Sequence, residues 1–166
     1  MLKDIILYIM QKMNVSSVCQ DKKSIEIVRL LFILYLIDWH AAVKEDRTIT
    51  GIQWIIKPNW MSDSDEIEEA TADRSIFNVI EDPTISASIK QRLILQKEVQ
   101  PKQFEPWKTA VIDRVLEVAH QRNLEELSTF TFSTYPLLTA DSDKPFDMLE
   151  KARIYKEFKE RQTKKN

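Results

Sequence analysis

At 166 residues, with 43% apolar and 30% charged side chains, the chain is long enough to bury the core of one domain without covalent staples. A net charge of −2 and a pI of about 5.8 argue against general affinity for nucleic-acid phosphates. A single glycine excludes the glycine-rich phosphate loops of Walker and Rossmann type, and a single cysteine, Cys19, excludes an internal disulfide and fits a reducing cytosol.

Taken in order, Leu2, Ile5, Ile6, Ile9 and Met13 form a stripe at helical spacing and predict an amphipathic helix over Leu2–Met13. Its acid at position 4 and short apolar run do not make a secretory signal, so the expected location is cytoplasmic. Asn14–Lys23 is polar and reads as a connector. The stretch Ser24–Gly51 then dominates the chain. Leu30–Ile37 is an unbroken apolar run bracketed by Arg29 and Asp38, far short of the ~18 residues of a membrane span. Val28, Leu31, Tyr35, Trp39 and Ala42 share one helical face, and Leu30, Ile33, Leu34 and Ile37 make the opposite side apolar. That predicts a buried central helix with the other elements packed around it, and Ser24 as its N-cap.

Beyond Gly51, Ile52–Ile56 is rich in β-branched and aromatic residues and reads as a short strand, or as a helical turn opened by Thr50 and Gln53; Pro58 ends either one. Ser62–Arg74 reads as a short exposed helix or an ordered loop. Ser75–Ile80 and Ala87–Gln96 flank the turn Glu81-Asp82-Pro83-Thr84 and predict a hairpin projecting from a helical body. A helix is expected from Glu105-Pro106-Trp107, packing through Val111, Val115, Val118, Ile112, Leu116 and Ala119. Asn123 and Glu126 form a capping box for a helix over Leu124–Phe132, with Pro136 as its stop. After the polar loop Thr139–Lys144, Asp143 is the expected cap and Pro145 the opening of a last helix with Leu149, Ala152, Ile154, Tyr155 and Phe158 on its apolar side; Lys159–Asn166 is expected to fray. The composite is a mainly helical α+β domain over residues 1–158 with a small hairpin, winged-helix-like in content, and a basic tail over 159–166.

The residues Leu34-Tyr35-Leu36-Ile37-Asp38-Trp39, followed by Thr48-Ile49-Thr50-Gly51, resemble the Panacea domain of bacterial antitoxins and phage-associated proteins. With Ile52-Gln53-Trp54 added, the chain looks more like the Panacea-related middle components of three-component, Lamassu-type defence systems, which accompany a coiled-coil SMC-like ATPase and a toxic effector. The resemblance extends more weakly over Val111–Pro136 and covers about two thirds of the chain. Where such relatives carry Gly-Pro after the tryptophan, this chain reads Lys57-Pro58-Asn59-Trp60.

Catalytic groups are sparse. His40, His120 and Cys19 are too few and too scattered for the four close ligands of a zinc site, so no metal or cofactor is expected. Asp38 and His40 lie two apart on a helix and point in different directions. An acid inside an apolar run needs partners, and Arg29, Arg47 or a backbone amide are the candidates for a structural role; recognition beside Trp39 is the functional alternative. No serine sits in a nucleophile elbow, which leaves enzymatic activity without a carrier. Of the four tryptophans, Trp39 and Trp107 read as core and Trp54 as ambiguous. Trp60, ahead of the acidic Asp63, Asp65, Glu66, Glu68 and Glu69, reads either as a partner contact or as a folded-back loop aromatic. The candidate partner-binding set is Trp60, Asp63, Asp65, Glu66 and Trp54.

The expected function is a non-catalytic interaction subunit that binds and restrains a coiled-coil SMC-like ATPase or a toxic effector nuclease, reaches nucleic acid only through that complex, and has no membrane partner. The alternative is a winged-helix-like DNA-binding autorepressor, suggested by the hairpin and the basic C-terminus.

Overall fold

A computed structural model of the chain describes residues 1–13, 23–57, 60–61, 65–85, 87 and 89–164, with residues 60–61 described through their backbone alone. Cys19, the connector up to residue 22, Pro58, Asp63 and the side chain of Trp60 lie outside the described residues.

The centre of the fold is α2 (Ile27–Glu45), whose Leu30, Ile33, Leu34, Tyr35 and Ile37 are fully buried. Because it is apolar on every side, it must be covered from every side. α4 (Pro106–His120), α5 (Leu124–Phe132) and α7 (Met148–Thr163) pack against it, while α1 (Leu2–Lys12) contributes Ile5, Ile6 and Ile9 to the same core. α2 ends at Asp46, which adopts the left-handed conformation (φ 52°) that terminates many helices. The mainly helical α+β class expected from the sequence is the class observed: seven helices and two small antiparallel sheets among the described residues. None of these helices is long and apolar enough to cross a membrane.

Several elements form as local chemistry directs. Asn123 accepts from the Glu126 amide and Glu126 accepts from the Asn123 amide, both at 2.9 Å, which opens α5 where the capping box places it. Pro106 lies in the first turn of α4, where its missing N–H has no helical partner to lose.

Others differ. Ser24 does not cap α2; Ser24–Glu26 is a strand, β1, and Glu26 holds the cap position in an extended conformation. β4 (Phe77–Glu81) and β5 (Gln91–Leu95) do form the expected hairpin, but it does not project. β1 pairs with the free side of β5, Ile25 opposite Leu93, giving the antiparallel order β1-β5-β4. Ile25, Phe77, Leu93 and Leu95 then face the core, all under 5% exposed. The apolar rows of the hairpin need a surface to cover, which draws the sheet inward.

Residues 52–54 are not strand; the strand, β2, is Ile56–Lys57, and it pairs with β3 (Trp60–Met61). α3 (Asp65–Ala70) is the short helix expected there, held by the buried Ile67. Pro136 does not stop α5 but lies in the first turn of another short helix, α6 (Tyr135–Thr139). Asp147, not Asp143, caps α7, accepting from the amides of Leu149 (2.8 Å) and Glu150 (3.1 Å). Asp143 instead takes a left-handed turn at φ 62°. α7 buries Met148 and Ala152 and leaves Leu149 and Phe158 largely in solvent. Lys159–Thr163, expected to fray, continue α7, where Arg153–Glu157 (2.7 Å), Arg161–Glu157 (3.8 Å) and Lys159 over the Tyr155 ring line its outer turns.

Candidate interaction surface

Asp38 is only 1% exposed, yet its two carboxyl oxygens are saturated. Oδ1 accepts from the amides of Ile49 (2.7 Å) and Thr50 (2.9 Å), and Oδ2 accepts from the Thr50 hydroxyl and from the indole Nε1 of Trp54 (2.9 Å). The Thr50 hydroxyl oxygen in turn accepts from the Ile52 amide at 3.1 Å. Gly51 turns the chain between these groups at φ +79°, a backbone region that residues with a Cβ avoid; no neighbouring atom crowds the position, so the conformation alone calls for glycine. The acid that interrupts the apolar run is thus an anchor. It ties the loop after α2 back onto α2, and its partners are backbone amides and Trp54 rather than Arg29 or Arg47.

Those two arginines work elsewhere. Arg29 pairs with Glu26 (3.2 Å) and donates to the carbonyls of Ala119 and Arg122 at the end of α4, while Arg47 lies over the Trp107 ring. A second buried polar cluster sits on the outer side of the sheet, where Arg92 donates to Asp82 (3.0 Å) and Glu26 (3.4 Å). The hydroxyl and amide of Thr84 and the Arg92 guanidinium hold the Asp82 carboxyl below the usual range.

The anchor removes Trp54 from the candidate contact set. Its ring is 2% exposed, edge-on to Tyr35 at 5.4 Å, and its indole N–H is committed to Asp38. Tyr35 shares a hydrogen bond with the Thr134 hydroxyl at 2.7 Å, and burial pushes its phenol pKa up. Downstream of the anchor, Ile55 bridges to Pro145, and Asp143 donates its amide to the Ile56 carbonyl at 2.6 Å, so the loop also fixes the approach to α7.

The other candidates divide. Glu66, half-buried, accepts from the Gln53 amide at 3.3 Å and braces the same loop. Asp65 is exposed at the start of α3, beside exposed Glu68 and Glu69, and none of these three has an ion-pair partner among the described residues. Their side of α3 faces solvent because Ile67 turns inward. Trp39, expected in the core, is half-buried, edge-on to Tyr155 at 5.3 Å, and Trp107 is half-buried between Arg47 and Lys108.

As the helix geometry requires, His40 diverges from Asp38. It is half-buried and lines a groove between α2, α4 and α5 that sequence reasoning did not find. Burial pulls its pKa below the ordinary value, and Lys44 and Arg114 pull the same way against Glu45. His120 ends α4 with Nδ1 at 2.8 Å from the Met13 sulfur. Among the described residues, no group of three or more His, Cys, Asp or Glu is placed to hold a metal ion. The fold and its anchor define a mainly helical α+β domain with a buried acid at its hub. Comparison with protein-family models, curated proteins and solved structures gives no match.

Proposed function

We propose that this chain is a non-catalytic interaction subunit of a bacterial anti-phage, anti-plasmid or toxin–antitoxin assembly, acting in the cytoplasm. It binds and restrains a coiled-coil SMC-like ATPase or a toxic effector nuclease, and it meets nucleic acid only through that complex. One observation carries the reading. The residues on which the Panacea resemblance rests, from Tyr35 and Asp38 on one side and Ile49, Thr50 and Trp54 on the other, converge in a single buried cluster. A cluster committed to holding the fold marks an architecture and leaves the work to the surface. The exposed acids of α3 and the adjoining Trp60 stretch are the part of that surface assigned to the partner.

The test is co-purification with the products of the adjacent reading frames, with effector toxicity measured in the presence and absence of this chain. A stable complex and suppressed toxicity support the proposal. Trp60→Ala, with its fold verified, is expected to raise dissociation by about 2 kcal/mol if Trp60 is a hot spot, whereas reversing Asp63 and Asp65 slows association and weakens its salt dependence; Glu66, which braces the loop, is left in place. No complex with any neighbour, together with tight salt-sensitive DNA binding by the isolated chain, would sink it in favour of a DNA-binding autorepressor. The β4–β5 hairpin and the basic end of α7 are what that alternative rests on.

A further inference from the structure

The groove beside His40 is lined by the apolar Leu36, Trp39, Val118 and Phe130, with His40, Arg114 and Thr134 as its polar groups. Its volume, about 270 Å³, lies below the ~300–1,000 Å³ typical of small-molecule sites and suits one large side chain. Phe130, at its rim, is 38% exposed.

Among the described residues, the lining carries one cation, Arg114, and no acid. The Arg122 guanidinium lies over the Phe130 ring, 4.6 Å from its centroid, and Lys44 is one helical turn beyond His40. The acids nearby are engaged or outside: Glu117 pairs with Arg114 at 2.9 Å, Glu126 closes the capping box, and Glu45 stands at the solvent end of α2. The Arg114–Glu117 pair is 64% and 62% exposed, so it is weak and exchangeable.

From this complementarity we infer that the groove receives a peptide segment of a partner protein, one large apolar side chain flanked by carboxylates. The ring or branched chain fills the space between Trp39 and Phe130, and the flanking carboxylates meet Arg114 and His40. This rests on the interaction reading above and names the chemistry of one contact. Burial, and after it Lys44 and Arg114, lower the His40 pKa, and a docked carboxylate beside the ring acts in the opposite direction, so binding takes up a proton and strengthens as pH falls.

The experiment uses the full chain and three end-blocked tripeptides, Glu-Phe-Glu, Gln-Phe-Gln and Glu-Ala-Glu, followed in amide correlation spectra. Glu-Phe-Glu is expected to bind with a millimolar Kd, in keeping with its size, and to shift the resonances of His40, Val118 and Phe130. Each of the other two is expected to bind at least about 5-fold more weakly, one for want of charge and one for want of the ring. Arg114→Gln, at an exposed position, brings the affinities for Glu-Phe-Glu and Gln-Phe-Gln within about 2-fold of each other. His40→Gln abolishes the rise in affinity between pH ~7.5 and ~5.5. Absence of saturable shifts up to ~10 mM, shifts centred elsewhere, or equal binding of the charged and neutral peptides overturns the inference. Co-purification with a neighbouring gene product that survives Arg114→Gln and Phe130→Ala unchanged also overturns it, and leaves the interaction reading standing. Selective peptide binding in the groove supports it even where no neighbouring product co-purifies.

Discussion

Replacing Asp38 with Asn tests the anchor most directly, because it keeps the size and removes one acceptor. Asp38 accepts four hydrogen bonds, two at each oxygen. In the variant, the amide oxygen can keep the pair from the Ile49 and Thr50 amides. Its NH2 group then faces the Thr50 hydroxyl and the Trp54 indole. The hydroxyl can turn and accept, but the indole N–H is a donor only and is left facing another donor. One orphaned buried donor costs about 1–3 kcal/mol, a large share of the ~5–15 kcal/mol that holds a domain of this kind. For a chain of this length, each kcal/mol lowers Tm by about 2–4 °C. Trp54→Phe deletes the conflicting N–H, together with some ring volume whose cost is common to both backgrounds. A double-mutant cycle with Asp38→Asn is therefore expected to be non-additive by at least about 1 kcal/mol, the double variant being less damaged than the sum. Urea unfolding followed by circular dichroism measures all four corners without relying on tryptophan emission. If Asp38→Asn unfolds within about 0.5 kcal/mol of the parent, or if the cycle is additive to within that margin, the anchor is not what holds the loop to α2.

Two further outcomes follow from the core and from His40. Leu34 is fully buried at the middle of α2, so Leu34→Ala is expected to cost about 2–5 kcal/mol; an unchanged Tm would mean that α2 is not the central element. The lowered pKa of His40, caused chiefly by burial and then by Lys44 and Arg114, means that the unfolded chain binds its proton first as pH falls. Stability should therefore be flat above the ordinary histidine value of about 6.5 and decline below it until the folded-state pKa is passed; His40→Gln should lessen that decline, and parallel urea midpoints from pH ~7.5 to ~5 in the two proteins would refute the assignment.

How much of this was legible in the sequence follows from the range over which each interaction acts. α2 was readable because a run apolar on all sides has one physical solution, burial. The Asn123–Glu126 box and the proline in the first turn of α4 were readable because each is decided within a few residues by hydrogen bonds or fixed φ; the connection from Glu81 to Gln91 is longer than the four-residue turn expected there. Ser24 was misread for a related reason: a serine before an apolar helix is a good cap in isolation, but β5 presents an unpaired edge whose amides and carbonyls β1 satisfies instead. Asp38 announced that it needed partners without naming them, since its donors lie 11 to 16 residues further on and reach it only when Gly51 folds the loop back. Trp54 was ambiguous in the sequence, and only the closed loop shows it buried against Asp38. The groove of Trp39, His40, Arg114 and Phe130 has no linear signature at all, because α2, α4 and α5 each supply part of it and only the packing of α4 and α5 against α2 brings them together. Local propensity and capping are properties of a segment and can be read along the chain; the partners of a buried polar group, and the shape of a surface between elements, depend on which distant groups the collapse of the core carries into contact.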